Sequence, residues 1–467
     1  MPHRCLAILL GGLLAVPSVL AQEPAPSNGP AVESTTSAYP AEIRIADRVI
    51  LIRDERMQQT HFTLVVHAGC LDEEPDCRGI AHYLEHLLLS GRNPDHTEVA
   101  FRFFADGYAN GWTTQKATAF VHRIAPRPAG TGDPMANLER LFTFYANRLR
   151  SFEVSAADAL RERNVVLQEY QLRTGNSPFG RFGVHYEKTL LPSHPLGRSV
   201  IGSPETIQAL TVEEAQHFHA RWYVANNATV VVAGNLDPEA VRTLAARTFG
   251  VVEPRSLPPR PGRAVPEIEL GHLSLVMNDA QVKRRIVRYT KLVRVPEEVE
   301  DLLSAGLLLA NFLSSQLAGS PNDVLVEQLG LTDGIAAGVT RHLPGLYRVW
   351  LSAEPIPETS PDELAGAMRR YLDGLTGRGF DPTTLERLKR RFAADVAMAN
   401  LSGERIMGRV VNWIANGDPY DDIAGFPLRV AATTPGDMAR LLTALAGTGR
   451  ELTGFLLPET NTDRRVP

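Results

Sequence analysis

Within Gly79-Ile80-Ala81-His82-Tyr83-Leu84-Glu85-His86-Leu87-Leu88-Leu89-Ser90-Gly91, the pattern H-x-x-E-H constrains this chain more than any other feature. The run Ile80 to Leu89 reads as a helix. Two His four residues apart on a helix stand one above the other on the same face, so both imidazoles can reach one metal ion. Glu85, three residues after His82, lies on that face too, beside the metal and free to act as a base. The arrangement is the inverse of H-E-x-x-H and carries the same zinc chemistry. It requires a third ligand, held on another rigid element.

A chain of 467 residues should split into more than one core, with two domains the natural first reading. Its 44% hydrophobic and 22% charged residues are those of an ordinary globular protein. A formal charge of -5 and the lack of a long basic cluster argue against nucleic acid as a partner. The N-terminus reads as a secretory signal peptide over 1–21: His3 and Arg4, the apolar run Leu6 to Leu14, and the small-residue site Val19-Leu20-Ala21. A Pro-, Ser- and Ala-rich, disordered lead-in follows over 22–40. Periplasmic or otherwise exported is the resulting address. Leu302 to Leu317 is too short to span a bilayer and contains Asn311, Ser314 and Ser315, so it reads as a buried helix. No stable membrane insertion is expected once the signal is removed. Cys70 and Cys77 could form a disulfide in an oxidising compartment or remain two thiols; spacing leaves both open.

Along the chain, Ala41 to Ala68 reads as strands, Glu98 to Asp106 as a helix, and Thr113 to Ile124 as strand. Met135 to Arg148 is an amphipathic helix, and a longer one runs from about Ser155 to Arg173, with Ser155 as N-cap and Asp158 three residues on. Ala228 to Ala233 is a compact apolar strand ending at Gly234. Four prolines over 253–262 break every periodicity and favour an extended, semi-rigid linker, placed at 253–266. Beyond it the layout of strands and helices repeats. The fold class is therefore α+β, with two similar domains at 41–252 and 267–460, each a mainly antiparallel sheet packed against helices, and a tail at 461–467. No His pair appears in the second half.

A catalytic zinc takes three protein ligands and keeps a fourth position for water. The helix from Ser155 offers Glu162 and Glu169, seven residues and so about two turns apart on one face. One of them could bind metal while the other supports a ligand from behind. A solvated charged face, salt-bridged to Arg161 and Arg163, is the plainer alternative.

The H-x-x-E-H motif followed by this E-x6-E helix resembles the insulinase/pitrilysin family of inverted-motif zinc peptidases, whose members include mitochondrial processing peptidase and many bacterial proteins. Ile201-Gly202-Ser203-Pro204-Glu205-Thr206-Ile207 and Phe218-His219-Ala220-Arg221-Trp222-Tyr223, leading to Asn226-Asn227-Ala228, also resemble the end of that family's catalytic domain. The likeness spans roughly 42 to 460. It implies Zn2+ bound by His82, His86 and Glu169, with Glu162 as the supporting acid. Glu85 would be the general base and acid of a zinc-dependent endopeptidase acting on unfolded peptides or small proteins. The resemblance also implies that a substrate strand pairs with a sheet edge at Ala109, Asn110 and Gly111, where the family usually has Asn-Ala and this chain has Asn110-Gly111. A loop closed by glycines, with Trp112 in a core, is the other reading of that segment.

The chain departs from the family pattern in its second half. Active assemblies place an Arg and a Tyr near the substrate carbonyl, in a segment resembling Ser314 to Gly334; Val326 and Asp333 occupy those positions here. Val has no donor, and Asp would set negative charge against a developing oxyanion. The resemblance therefore implies a heterodimer, with this chain as the zinc subunit and a homologous partner supplying the Arg/Tyr pair. The alternative is a non-catalytic assembly or binding subunit of the same fold.

Overall fold

Two apolar runs explain the first sheet. Val49-Ile50-Leu51-Ile52 lies in strand β2 (Val49–Arg53) and Val230-Val231-Val232-Ala233 in β6 (Ala228–Gly234), both within the first half. Alternate residues point to opposite faces of a strand. Val49, Leu51, Val230 and Val232 join one core, while Ile50, Ile52, Val231 and Ala233 join another on the reverse face. With both faces covered, no polar alternation is possible, and the runs are apolar throughout.

The computed structural model describes residues 41–46, 48–73, 78–90, 108–124, 134–300, 302–378 and 380–459. The expected signal peptide and lead-in, the Glu98 to Asp106 helix, Cys77 and the 461–467 tail lie outside the described residues. The remaining strands of the first sheet are β1 (Ala41–Ala46), β3 (Thr60–Val66), β4 (Tyr108–Thr113) and β5 (Thr118–Ile124), in the order β1-β2-β6-β3-β5-β4. The second sheet comprises β7 (Gly271–Asp279), β8 (Ile286–Arg294), β9 (Thr332–Leu343), β10 (Leu346–Pro355) and β11 (Arg450–Pro458), in the order β7-β11-β8-β10-β9. With β1 set aside the two orders are the same. Among the described residues each sheet has one parallel pair, β2 with β6 and β7 with β11, and antiparallel pairs otherwise. The fold is α+β with two similar domains. In the second, the apolar run past Leu302 forms the helix Leu303–Leu313, which buries Leu308, Leu309, Phe312 and Leu313. Among the described residues no helix is long and apolar enough to cross a membrane.

Four helices of the first half matter for the site: α1 (Ile80–Ser90), α2 (Pro134–Arg150), α3 (Ala156–Tyr170) and α4 (Pro178–Leu190). α1 and α2 pack on the first sheet, and α3 packs against α1. Phe182, Tyr186 and Leu190 of α4 pack instead with Ile286, Leu292, Leu452 and Leu456 of the second sheet. The Tyr186 hydroxyl also donates to the Leu452 carbonyl at 2.8 Å. In return, the helix Gly403–Ala415 covers the reverse face of the first sheet with Ile406, Met407, Val410 and Ile414. Its first amide, at Gly403, donates to Asp54 Oδ2 at 3.0 Å. The halves thus exchange helices across the proline-rich segment. A period of 3.6 shows which face a helix buries but not against which sheet.

Gly454 permits the close approach of α4. A Cβ there would lie 2.6 Å from Tyr186 Cε2 and 2.7 Å from Phe182 Cζ. Gly454→Ala should therefore overpack this contact and cost about 1–3 kcal/mol. A denaturation midpoint equal to that of the unsubstituted protein would show that α4 can yield freely.

The proline-rich segment is docked rather than spanning open solvent. Arg260 Nη1 donates to Asp72 Oδ1 at 2.7 Å, and Arg263 donates through Nε to Oδ1 at 2.9 Å and through Nη2 to Oδ2 at 2.6 Å. The Asp72 side chain is fully buried. Two residues before it, Cys70 is disulfide-bonded.

Candidate metal centre

The motif helix is fixed at its start by a residue that no motif marks. Glu73 is buried, and its carboxylate accepts from the backbone amides of Arg78, Gly79 and Ala81 at 2.5, 2.9 and 3.0 Å. A carboxylate on the free amides of a helix N-terminus satisfies donors that the helix itself cannot. Leu84, Leu87 and Leu88 bury the inner face of α1 in the core. The Tyr83 hydroxyl donates to the Ala159 carbonyl at 2.6 Å and ties α1 to α3. On α3, Ser155 caps the first turn by accepting from the Asp158 amide.

These contacts bring His82, His86 and Glu169 together, with one ligand atom from each lying within 4.8 Å of the others. The two imidazoles meet edge-on, their centroids 4.8 Å apart. Glu169 Oε2 is 3.1 Å from His86 Nε2 and 3.6 Å from His82 Nε2. Its other oxygen, Oε1, is held by Arg173 at 2.8 Å, which leaves Oε2 facing the His pair. Glu162 Oε2 stands 3.7 Å from His86 Nδ1, an ion-pair separation rather than a hydrogen bond, while Arg161 Nε holds Glu162 Oε1 at 3.1 Å.

Burial pushes His82 down to about 4, so its imidazole is neutral near pH 7. Burial also acts to lower His86, but the Glu162 and Glu169 carboxylates outweigh it and lift His86 to about 9. Those carboxyls are held below their ordinary values despite burial, chiefly by His86. A divalent ion would take the place of the His86 proton. Two imidazoles and one carboxylate, converging on one point, form a donor set that zinc accepts at catalytic sites.

Glu85 is set apart from this group. It is buried, and burial lifts its carboxyl to about 7 against the pull of the Thr113 hydroxyl, which donates to Oε2 at 2.6 Å. Ala109, Asn110 and Gly111 lie on β4, which among the described residues pairs with β5 alone and forms one edge of the first sheet. Asn110 is exposed, and its amide donates to the Tyr108 hydroxyl at 2.8 Å. Trp112 packs against the core shared with the helix Gly403–Ala415. Of the second-half positions, Val326 lies on the short helical segment Asn322–Gln328 and Asp333 is exposed on β9. Glu73 and Thr113 were not singled out from the sequence. Neither belongs to a spacing pattern, and only the fold brings them to α1.

The family described as Insulinase (Peptidase family M16) matches residues 48–173, and Peptidase M16 inactive domain matches 209–392. An uncharacterized zinc protease of Mycobacterium leprae is 30% identical over 200 residues, 42% of this chain and 43% of that protein. The match thus spans less than half of that relative. The crystal structure of a protease from Helicobacter pylori superposes with a TM-score of 0.72 at 21% identity, over 90% of this chain and 100% of that one. The periplasmic protease PqqL from Escherichia coli gives 0.70 at 16% identity, over 91% of this chain but 48% of its own.

Proposed function

Because the chain belongs to the insulinase family of peptidases, M16, we propose that it is a zinc-dependent endopeptidase for unfolded peptides or small proteins. We also propose that it is the zinc-bearing subunit of a two-subunit enzyme. The convergence of His82, His86 and Glu169 beside a buried Glu85 carries the reading. Zinc held there would supply Lewis acidity toward a peptide carbonyl and lower the pKa of a bound water. Glu85 takes the proton of the attacking water and returns it to the departing amine; its carboxylate can act in both directions. Glu162 steadies His86 from behind, and Arg173 keeps Glu169 Oε2 turned to the His pair. The edge of β4 at Ala109, Asn110 and Gly111 offers backbone groups to an extended substrate strand, a mode of grip tolerant of sequence. A non-catalytic binding subunit would need neither Glu85 nor the complete ligand set.

The two-subunit arrangement rests on Val326 and Asp333, which the family resemblance aligns with the Arg/Tyr pair. A relative about twice this length, such as PqqL, has room for a second, homologous half in one chain. The N-terminal signal pattern, together with the description of PqqL as periplasmic, supports export. The test is zinc content and peptide cleavage by the chain alone and co-expressed with a homologous chain carrying the Arg/Tyr pair. Bound zinc with cleavage only in the pair is expected. Full activity of the chain alone would end the two-subunit proposal, and failure to bind zinc would end the peptidase reading. Glu162→Gln should weaken zinc binding roughly tenfold, the low end for a residue supporting a metal ligand. A chelator titration unchanged by the substitution would remove Glu162 from the site.

A further inference from the structure

We propose that Thr113 is the positioning residue of Glu85: its hydroxyl holds Oε2 and leaves Oε1 as the oxygen that accepts the proton. The inference rests on the peptidase reading above and adds an atom-level division of labour to it.

A threonine hydroxyl has one proton to donate. Thr113 Oγ1 has two acceptors within reach, Glu85 Oε2 at 2.6 Å and Thr118 Oγ1 at 3.4 Å. Thr118 spends its own proton on the Ala68 carbonyl at 3.0 Å. The shorter bond to a carboxylate is also the stronger, so the Thr113 proton goes to Oε2. A carboxylate oxygen already engaged in this way is the poorer proton acceptor.

The other oxygen is placed by the same strand. Gly111 and Thr113 are two apart on β4 and so share a face. A Cβ on Gly111 would lie 2.6 Å from Glu85 Oε1 and 2.9 Å from Glu85 Cγ. The missing side chain leaves room at Oε1, and the hydroxyl two residues on holds Oε2. The Thr113 hydroxyl bonds to Glu85 and Thr118 and not to His82, His86 or Glu169, so zinc binding is separable from the alignment of the base.

The strand that does this is itself held. Gly111 faces Phe120 and Thr113 faces Thr118 in the antiparallel register with β5. Beyond Thr113, the Cys70 amide donates to the Thr114 carbonyl at 3.2 Å and the Leu71 amide to the Gln115 carbonyl at 2.8 Å. Arg263 Nη2 donates to the Lys116 carbonyl at 2.8 Å, and Lys116 Nζ donates to the Asn416 carbonyl at 3.2 Å. The hairpin tip is therefore clamped from both halves of the chain. Thr113 meets Glu85 from a rigid support, as a positioning residue must.

The test compares Thr113→Val with Thr113→Ser in the zinc-loaded complex that cleaves peptide. Thr113→Val should bind zinc as tightly as the unsubstituted protein and keep KM, while kcat falls roughly 10- to 100-fold, the worth of one hydrogen bond to a charged group. Thr113→Ser, which retains the hydroxyl, should recover most of that loss. An unchanged kcat in Thr113→Val overturns the proposal, as does an equal loss in both variants. A readout independent of turnover is the infrared carboxylate band of Glu85 at alkaline pH, identified by its disappearance in Glu85→Gln. The band should shift in Thr113→Val and stay in place in Thr113→Ser. A band unmoved by Thr113→Val denies the hydrogen bond even if the protein proves to have no peptidase activity, whereas a shifted band in an inactive protein faults only the peptidase reading.

Discussion

Glu85→Gln should leave zinc bound and lower peptide hydrolysis by about 10²- to 10⁴-fold, the usual contribution of a positioned general base. Gln has nearly the shape of Glu, and its carbonyl oxygen can still accept the Thr113 hydroxyl. What it loses is the capacity to take a proton. His82, His86 and Glu169 keep their mutual geometry because Glu85 is not one of the converging ligands. The loss should therefore fall on kcat, with metal content and KM close to those of the unsubstituted enzyme. Metal analysis and steady-state kinetics on the same preparation decide the matter. Undiminished turnover by zinc-loaded Glu85→Gln would remove Glu85 as the base, and a zinc-free variant would assign Glu85 a metal-binding role instead.

Much of this centre was legible in the sequence because helices convert spacing into geometry. His82 and His86 at a separation of four, and Glu162 and Glu169 at a separation of seven, each lie on one helical face whatever surrounds them. Ser155 announced the start of α3 through the same side-chain cap that the structure contains. The strands β2 and β6 were legible as apolar runs bounded by polar or glycine residues. The rest depends on contacts between distant segments, for which the sequence carries no period. The landing of α4 on the second sheet and of the helix Gly403–Ala415 on the first could not be told from their apolar faces. Glu73, Asp72 and Thr113 are single polar residues, and their importance arises only from the donors and acceptors that the fold places around them. Four prolines break the periodicity over 253–262, but composition alone did not reveal that Arg260 and Arg263 anchor that segment.

That anchor gives the largest expected loss of stability. Asp72→Ala should destabilise the protein by about 3–5 kcal/mol, the cost of removing one partner from a buried ion pair. Asp72 accepts from Arg260, from Arg263 and from the Gly69 amide at 2.9 Å, and its side chain has no solvent exposure. Without it both guanidiniums remain in place: Arg260 stacks 4.3 Å from the Trp222 ring centroid and donates to Asn227 Oδ1, and Arg263 donates to the His67 and Lys116 carbonyls. Their charges are then uncompensated, with the side chains only 20% and 22% exposed. The Trp222 indole, which donates to the Asp72 carbonyl at 3.1 Å, sits close enough to sense local opening. Urea unfolding followed by tryptophan fluorescence should show the transition at lower denaturant. Removing the cations as well, in Asp72→Ala with Arg260→Met and Arg263→Met, should recover part of the loss, because an apolar replacement of a buried ion cluster leaves no charge stranded. If the triple variant is no more stable than Asp72→Ala, the stranded charge of the two arginines is not the source of the loss.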